Sequence, residues 1–124
     1  MRKILKELYD DRPDGIRGND DCGQMSAWYV LASIGLYPIN PSSATYQITT
    51  PLWTRAEIDV GAGKFVIDAP GASDAPTMYI RRAELFDVDG RSRGVLDRLA
   101  IEHQDIVAGG RLMLELEKGR DDFW

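Results

Sequence analysis

Residues 18 to 29 read GNDDCGQMSAWY. Two adjacent carboxylates, Asp20 and Asp21, stand between Gly18 and Gly23, and the chain then turns apolar. Asp21 is a residue type favoured at a helix N-cap, and Gln24 three positions on completes a capping-box pattern. The spacing predicts a helix over 22–35, ended by Gly35 and Pro38. Met25, Trp28, Tyr29, Val30, Leu31, Ala32 and Ile34 cover nearly its whole circumference, which calls for burial on several sides. One short partner helix cannot cover that surface. Either a β region packs on it or further helices are needed. Acids at the mouth of such a helix cap it, bind something or do chemistry.

Toward the N-terminus, Ile4, Leu5 and Leu8 give residues 2–10 one apolar helical face. No N-cap residue precedes this helix, so it reads as cut into rather than started. Pro13-Asp14-Gly15 marks a turn. Beyond Pro41 the pattern changes to strands. They are predicted at 45–49, at 57–60 with Ile58 and Val60 inward, and at 64–68 with Phe65 and Ile67 inward. Gly61-Ala62-Gly63 supplies a three-residue hairpin connection between the last two. Further strands are predicted at 77–86 with Met78, Ile80 and Leu85 inward, at 99–101, and at 111–116 with Leu112, Leu114 and Leu116 on one face. A helical turn at 103–107 precedes Gly109-Gly110. The fold class is α+β: a helical pair over 1–41, then a mainly antiparallel β region over 42–124.

Composition narrows the function classes. At 124 residues and 44% hydrophobic, the chain suits one small packed domain rather than a disordered segment. A net charge of −5 with no basic stripe argues against nucleic acid as a partner. A lone Cys22 forbids an internal disulfide and reads as a small buried residue; with the single His103, it excludes zinc-finger sites and a triad with its own histidine base. Arg81, Arg82, Arg91 and Arg93 read as exposed charges. Asp87 and Asp89 around Gly90 read as a turn, since the bidentate Glu of a calcium loop is missing. Trp28 and Tyr29 fit a core better than a sugar platform. No run is long enough for a membrane helix.

GNDDCGQMSAWYV followed by GLYPINP resembles the C-terminal part of glycoside hydrolase family 92, the calcium-dependent exo-α-mannosidases. RPDGIRGNDDCGQ, YQITTPLW, MYIRRAELFDVDG and HQDIVAGGRLMLEL follow in family order, so the resemblance covers nearly the whole chain. It implies that residues 1–41 are the closing helices of an (α/α)6 barrel and that the β region is its C-terminal tail. It also implies hydrolysis of terminal α-mannosyl linkages, α-1,2 first among them, with inversion at the anomeric carbon. The water-activating carboxylate then falls on Asp21 first and Asp20 second. Asn19 stands where some members carry an acid, and as an amide it is left with hydrogen bonding; Asn19 and Gln24 are the candidate substrate contacts. The family's calcium ion is expected as cofactor. The family's general acid, a glutamate, and most of its calcium and sugar contacts match nothing here, so the chain alone is expected to be inactive. The implied partners are an α-mannoside glycan and the remainder of the catalytic domain, in the same parent chain or a partner chain, with no nucleic acid and no membrane. The resemblance implies a secreted or periplasmic protein, although residues 1–10 do not read as a signal peptide. The alternative is a non-catalytic carbohydrate-binding or accessory β-module, using Trp53, Tyr46, Tyr79 and Phe86 on a sheet face. A third reading is a remnant that needs a partner chain to complete a barrel.

Overall fold

The computed structural model describes residues 1–61, 63–74 and 78–119. Helices α1 (Arg2–Glu7) and α2 (Gln24–Ile34) come first. Strands β1 (Leu36–Tyr37), β2 (Thr45–Ile48), β3 (Arg55–Val60), β4 (Gly63–Asp68), β5 (Met78–Phe86), β6 (Ser92–Val95) and β7 (Ala100–Glu102) follow, then helix α3 (His103–Val107) and strand β8 (Gly110–Lys118). They form a three-stranded sheet in the order β1-β2-β7 and a five-stranded sheet in the order β3-β4-β8-β5-β6. The α+β class and the mainly antiparallel pairing agree with the sequence reading. One pair departs from it, because β4 and β8 run parallel.

The alternation of residue types explains the large sheet. β3 exposes Arg55, Glu57 and Asp59 while Ala56, Ile58 and Val60 turn in. Phe65 and Ile67 of β4 lie fully buried beside Leu112 and Leu114 of β8. On β5, Met78 and Ile80 turn in, and then Ala83 and Leu85 do. This change of parity is produced by a bulge between Ile80 and Arg82, where one extra residue shifts the register against β8. Leu36, Ile48 and Ile101 of the small sheet join Phe65, Ile67, Leu85, Leu112 and Leu114 in one core. α3 carries the chain from the edge of the small sheet into the middle of the large one.

Gly35 joins α2 to this core. It adopts φ +90, and a Cβ there would lie 2.6 Å from the Thr49 carbonyl oxygen. Only glycine permits the left-handed stop and this close approach together. On the other side, the Arg2 guanidinium donates to the Pro51 carbonyl and anchors α1 beside the strands.

Several expectations change. α1 ends at Glu7, not residue 10, because Asp10 N–H bonds to Gly15 O at 3.0 Å and Tyr9 pairs with Ile16. The turn at 13–15 folds that segment back instead of extending the helix. Val60 pairs with Gly63, so two residues connect β3 and β4 rather than three; Ala62 lies outside the described residues. Thr77, assigned to a strand, and the Phe123-Trp124 tail also lie outside them. β1 and β6 were not anticipated.

The larger correction concerns α2. Only Ala32 and Ser33 of this helix are buried, and Val30 is 58% exposed. Met25, Trp28, Tyr29, Leu31 and Ile34 are half-buried. α1 and β1 are its main neighbours, and the five-stranded sheet does not close over it.

Candidate active site at the mouth of helix α2

The loop over 18–23 is built from unusual backbone. Gly18 has φ +86, and Asp21, Cys22 and Gly23 follow at +46, +61 and +89. Three successive left-handed residues, two of them with side chains, are costly. Each non-glycine residue in this conformation costs roughly 1–2 kcal/mol, somewhat less for Asp because its short polar side chain bonds locally. Strain of this kind persists only where surrounding contacts hold it.

The holding contacts come from Asp20. One carboxylate oxygen accepts the Ser26 backbone N–H at 2.8 Å and the other accepts the Ser26 hydroxyl at 2.8 Å. The Asp20 carbonyl also accepts Met25 N–H at 3.3 Å. Bonding from the Ser26 hydroxyl, and then from its amide, holds the Asp20 carboxyl below the usual carboxylate range. Asp20, not Asp21, is therefore the acid that caps the helix. The N-cap position itself falls on Gly23, which has no side chain to offer. The left-handed turn moves the helix start two residues along, so Gln24 becomes the first helical residue and closes no capping box.

Asp21 is exposed, and its carboxylate makes no hydrogen bond or ion pair among the described residues. Asn19 and Gln24 are exposed as well. All four candidate residues thus lie within one loop and the first turn of α2, with three of them open to solvent and Asp20 committed to Ser26. Nothing lies within 4 Å of where a Cβ would stand on Gly18 or Gly23, so the backbone on both sides of the acids is open to approach. Cys22 is exposed, not buried, because the left-handed turn carries its side chain outward.

Sequence reasoning missed Tyr9. Its ring stacks on Trp28 at 5.6 Å between centroids and lies 4.9 Å from Tyr29. Its hydroxyl donates to the Met25 carbonyl at 3.4 Å. Burial, and then the Asp20 charge, push the Tyr9 hydroxyl pKa up. The available signal was an aromatic residue just before a turn motif and facing an aromatic pair. Trp28 and Tyr29 accordingly serve packing.

The described donors do not gather into a calcium site. No group of three or more His, Cys, Asp or Glu able to hold a metal occurs among the described residues. Each Asp20 oxygen accepts one bond from Ser26, and Asp20 is a single carboxylate against the six to eight oxygen ligands calcium takes. At Asp87 one oxygen, Oδ1, accepts both Asp89 N–H at 3.0 Å and Arg91 N–H at 2.9 Å, which agrees with a turn. Arg81, Arg82 and Arg93 pair with Glu115, Glu84 and Asp105. Of the sheet aromatics, Trp53 and Tyr79 are more than half exposed, whereas Tyr46 and Phe86 are half-buried, Tyr46 next to His103.

Residues 1–118 match the glycosyl hydrolase family 92 catalytic domain. The chain belongs to this family. An uncharacterized secreted glycosidase from Arthroderma benhamiae is 33% identical over 117 residues, covering 92% of this chain and 14% of that protein. A family GH92 inverting mannosidase from Bacteroides thetaiotaomicron superposes with a TM-score of 0.75 at 33% identity, over 94% of this chain and 15% of that one. A GH92 α-mannosidase from the same organism, solved with mannoimidazole, superposes with a TM-score of 0.76 at 31% identity over 94% and 14%. The chain thus spans about one seventh of the length of these family 92 relatives. No helix among the described residues is long and apolar enough to cross a membrane.

Proposed function

We propose that this chain forms the C-terminal part of an inverting exo-α-mannosidase and that Asp21 is its general base. In this reading α1 and α2 close an (α/α)6 barrel, and residues outside the chain complete the pocket. The observation that carries the proposal is the division within the aspartate pair. Asp20 spends both oxygens on Ser26, while Asp21 stands unpaired and exposed beside two open glycines. The relatives described as an inverting mannosidase and as an α-mannosidase bound to mannoimidazole support a mannoside substrate.

The chemistry follows from inversion. A water oxygen attacks C1 of the terminal mannose from the face opposite the leaving oxygen. As the C1–O bond to water forms, Asp21 takes the water's proton. As the glycosidic C1–O bond breaks, a general acid from the remainder of the domain protonates the leaving oxygen. The two carboxyl groups of an inverting pair stand roughly 6.5–9.5 Å apart to admit that water. The side-chain amides of Asn19 and Gln24 hydrogen-bond sugar hydroxyls, and the open backbone at Gly18 and Gly23 gives the ring room. The linkage we propose is α-1,2. A calcium ion in the complete domain would take most of its ligands from other segments, since no group of three or more His, Cys, Asp or Glu gathers among the described residues.

The accessory-module reading draws on the exposure of Trp53 and Tyr79. It predicts that the chain alone binds mannan and that substituting these two residues abolishes binding. The catalytic reading is tested by grafting residues 1–118 into a family 92 catalytic domain in place of its own matching segment. The 124-residue chain releases no mannose from an α-1,2-mannobioside, and the grafted domain does. Asp21→Asn in that domain lowers kcat by about 10²–10⁴-fold with KM nearly unchanged. Full turnover by the Asn variant removes Asp21 from the role of base.

A further inference from the structure

We infer that Ser26 is a positioning residue: its hydroxyl and backbone N–H clamp Asp20, and the clamp holds the left-handed turn that presents Asp21. This rests on the assignment of Asp21 as base. The clamp joins the two ends of a short segment, residue 20 before the turn and residue 26 in the first turn of α2. Between them lie the three left-handed residues, Asp21, Cys22 and Gly23. The backbone bonds across the same segment are long: Gln24 N–H to Asp21 O at 3.4 Å and Met25 N–H to Asp20 O at 3.3 Å. The two side-chain bonds, both 2.8 Å, are the short ones. Asp21 has no anchor for its own carboxylate among the described residues, so its direction is set by the backbone that the clamp holds.

Two further features agree. Tyr9 packs on Trp28 and Tyr29 and reaches the Met25 carbonyl, bracing the helix turn from which Ser26 projects. The lowered pKa of Asp20 keeps it in the charged form that accepts both bonds. The adjacent acids therefore have separate duties: Asp20 ties the loop down, and Asp21 faces the substrate. A misplacement of about 1 Å in a reacting group costs on the order of 10²-fold in rate, so losing part of the clamp is felt in kcat rather than in sugar binding.

The test uses the grafted catalytic domain described above. Ser26→Ala, which deletes one of the two bonds, lowers kcat about 10- to 100-fold with KM within about threefold of the parent. Ser26→Thr, which keeps the hydroxyl, restores most of the rate. Asp20→Asn keeps a clamp of the same shape, with the amide donating to Oγ, and stays within about tenfold of the parent. An unchanged kcat in Ser26→Ala overturns the inference, as does a loss in Asp20→Asn equal to that in Asp21→Asn. Full turnover in Asp21→Asn instead overturns the assignment of the base, so the two failures are distinguishable. A second readout needs no variant in the enzyme. In the 124-residue chain, the Ser26 amide proton shift follows the Asp20 titration with a midpoint below the usual carboxylate range. A midpoint at the ordinary value, or no titration, overturns the clamp.

Discussion

Val30→Asp should be nearly silent in the chain alone and severe inside a complete catalytic domain. Val30 sits in the middle of α2, 58% exposed, on the surface that neither α1 nor the strands cover. Fully burying a Val side chain is worth about 1.5–3 kcal/mol. The uncovered part of Val30 therefore holds back about 0.9–1.7 kcal/mol until a neighbour packs on it. Val and Asp have similar helix propensities, so the substitution itself changes little in an exposed position. In the 124-residue chain the cost should stay within about 1 kcal/mol. In the grafted domain the apolar contribution is lost and a carboxylate is forced into an apolar seam, at a combined cost of about 3 kcal/mol or more. Urea unfolding of both backgrounds, each with and without the substitution, measures the difference. A loss above about 2 kcal/mol in the chain alone would show that its own residues already cover α2. A loss below about 1 kcal/mol in the grafted domain would show that no barrel helix packs there.

Other expectations follow from single contacts. Gly35→Ala should cost about 2–4 kcal/mol, because it adds a clash with the Thr49 carbonyl to the left-handed penalty. Gly18→Ala, with open space around its Cβ, should cost only about 1–2 kcal/mol, and equal losses on urea unfolding would refute the close approach at Gly35. Asp20 has a folded pKa below its unfolded value, so its stabilising effect is complete above the unfolded value near 3.8 and is lost as pH falls through the folded one. The stability gap between the parent and Asp20→Asn should accordingly shrink below about pH 4; a gap that widens on acidification would reverse the sign of the clamp. Cys22 should be alkylated by iodoacetamide in the native chain as fast as in urea, whereas protection in the native state would contradict its exposure.

The legible parts of the fold were those written in local alternation. β3, β4 and β8 follow from their alternating apolar residues, α3 occupies 103–107 as predicted, and Gly35 ends α2. β1 has only two residues and β6 is exposed throughout, so neither carries a periodic signal. The parallel pairing of β4 with β8 joins segments more than forty residues apart and depends on the α3 crossover, which no local pattern encodes. At the site, the sequence placed Asn19, Asp20, Asp21 and Gln24 together but misassigned the cap. Capping rules assume an ordinary entry into the helix, and here two non-glycine residues, Asp21 and Cys22, take positive φ. That turn passes the cap from Asp21 to Asp20 and brings Cys22 to the surface. The apolar circumference of α2 was legible too, but among the described residues only α1 and the short β1 are its main neighbours, and most of that surface stays half-buried or exposed.

The most direct test of the account asks whether Asp21 deprotonates the attacking water. In the grafted domain, Asp21→Ala should abolish hydrolysis of an aryl α-mannoside. Added azide attacks C1 without giving up a proton, so it should restore leaving-group release with β-mannosyl azide as the product. Hydrolysis at the parent rate without azide, or no recovery at any azide concentration, would contradict the assignment.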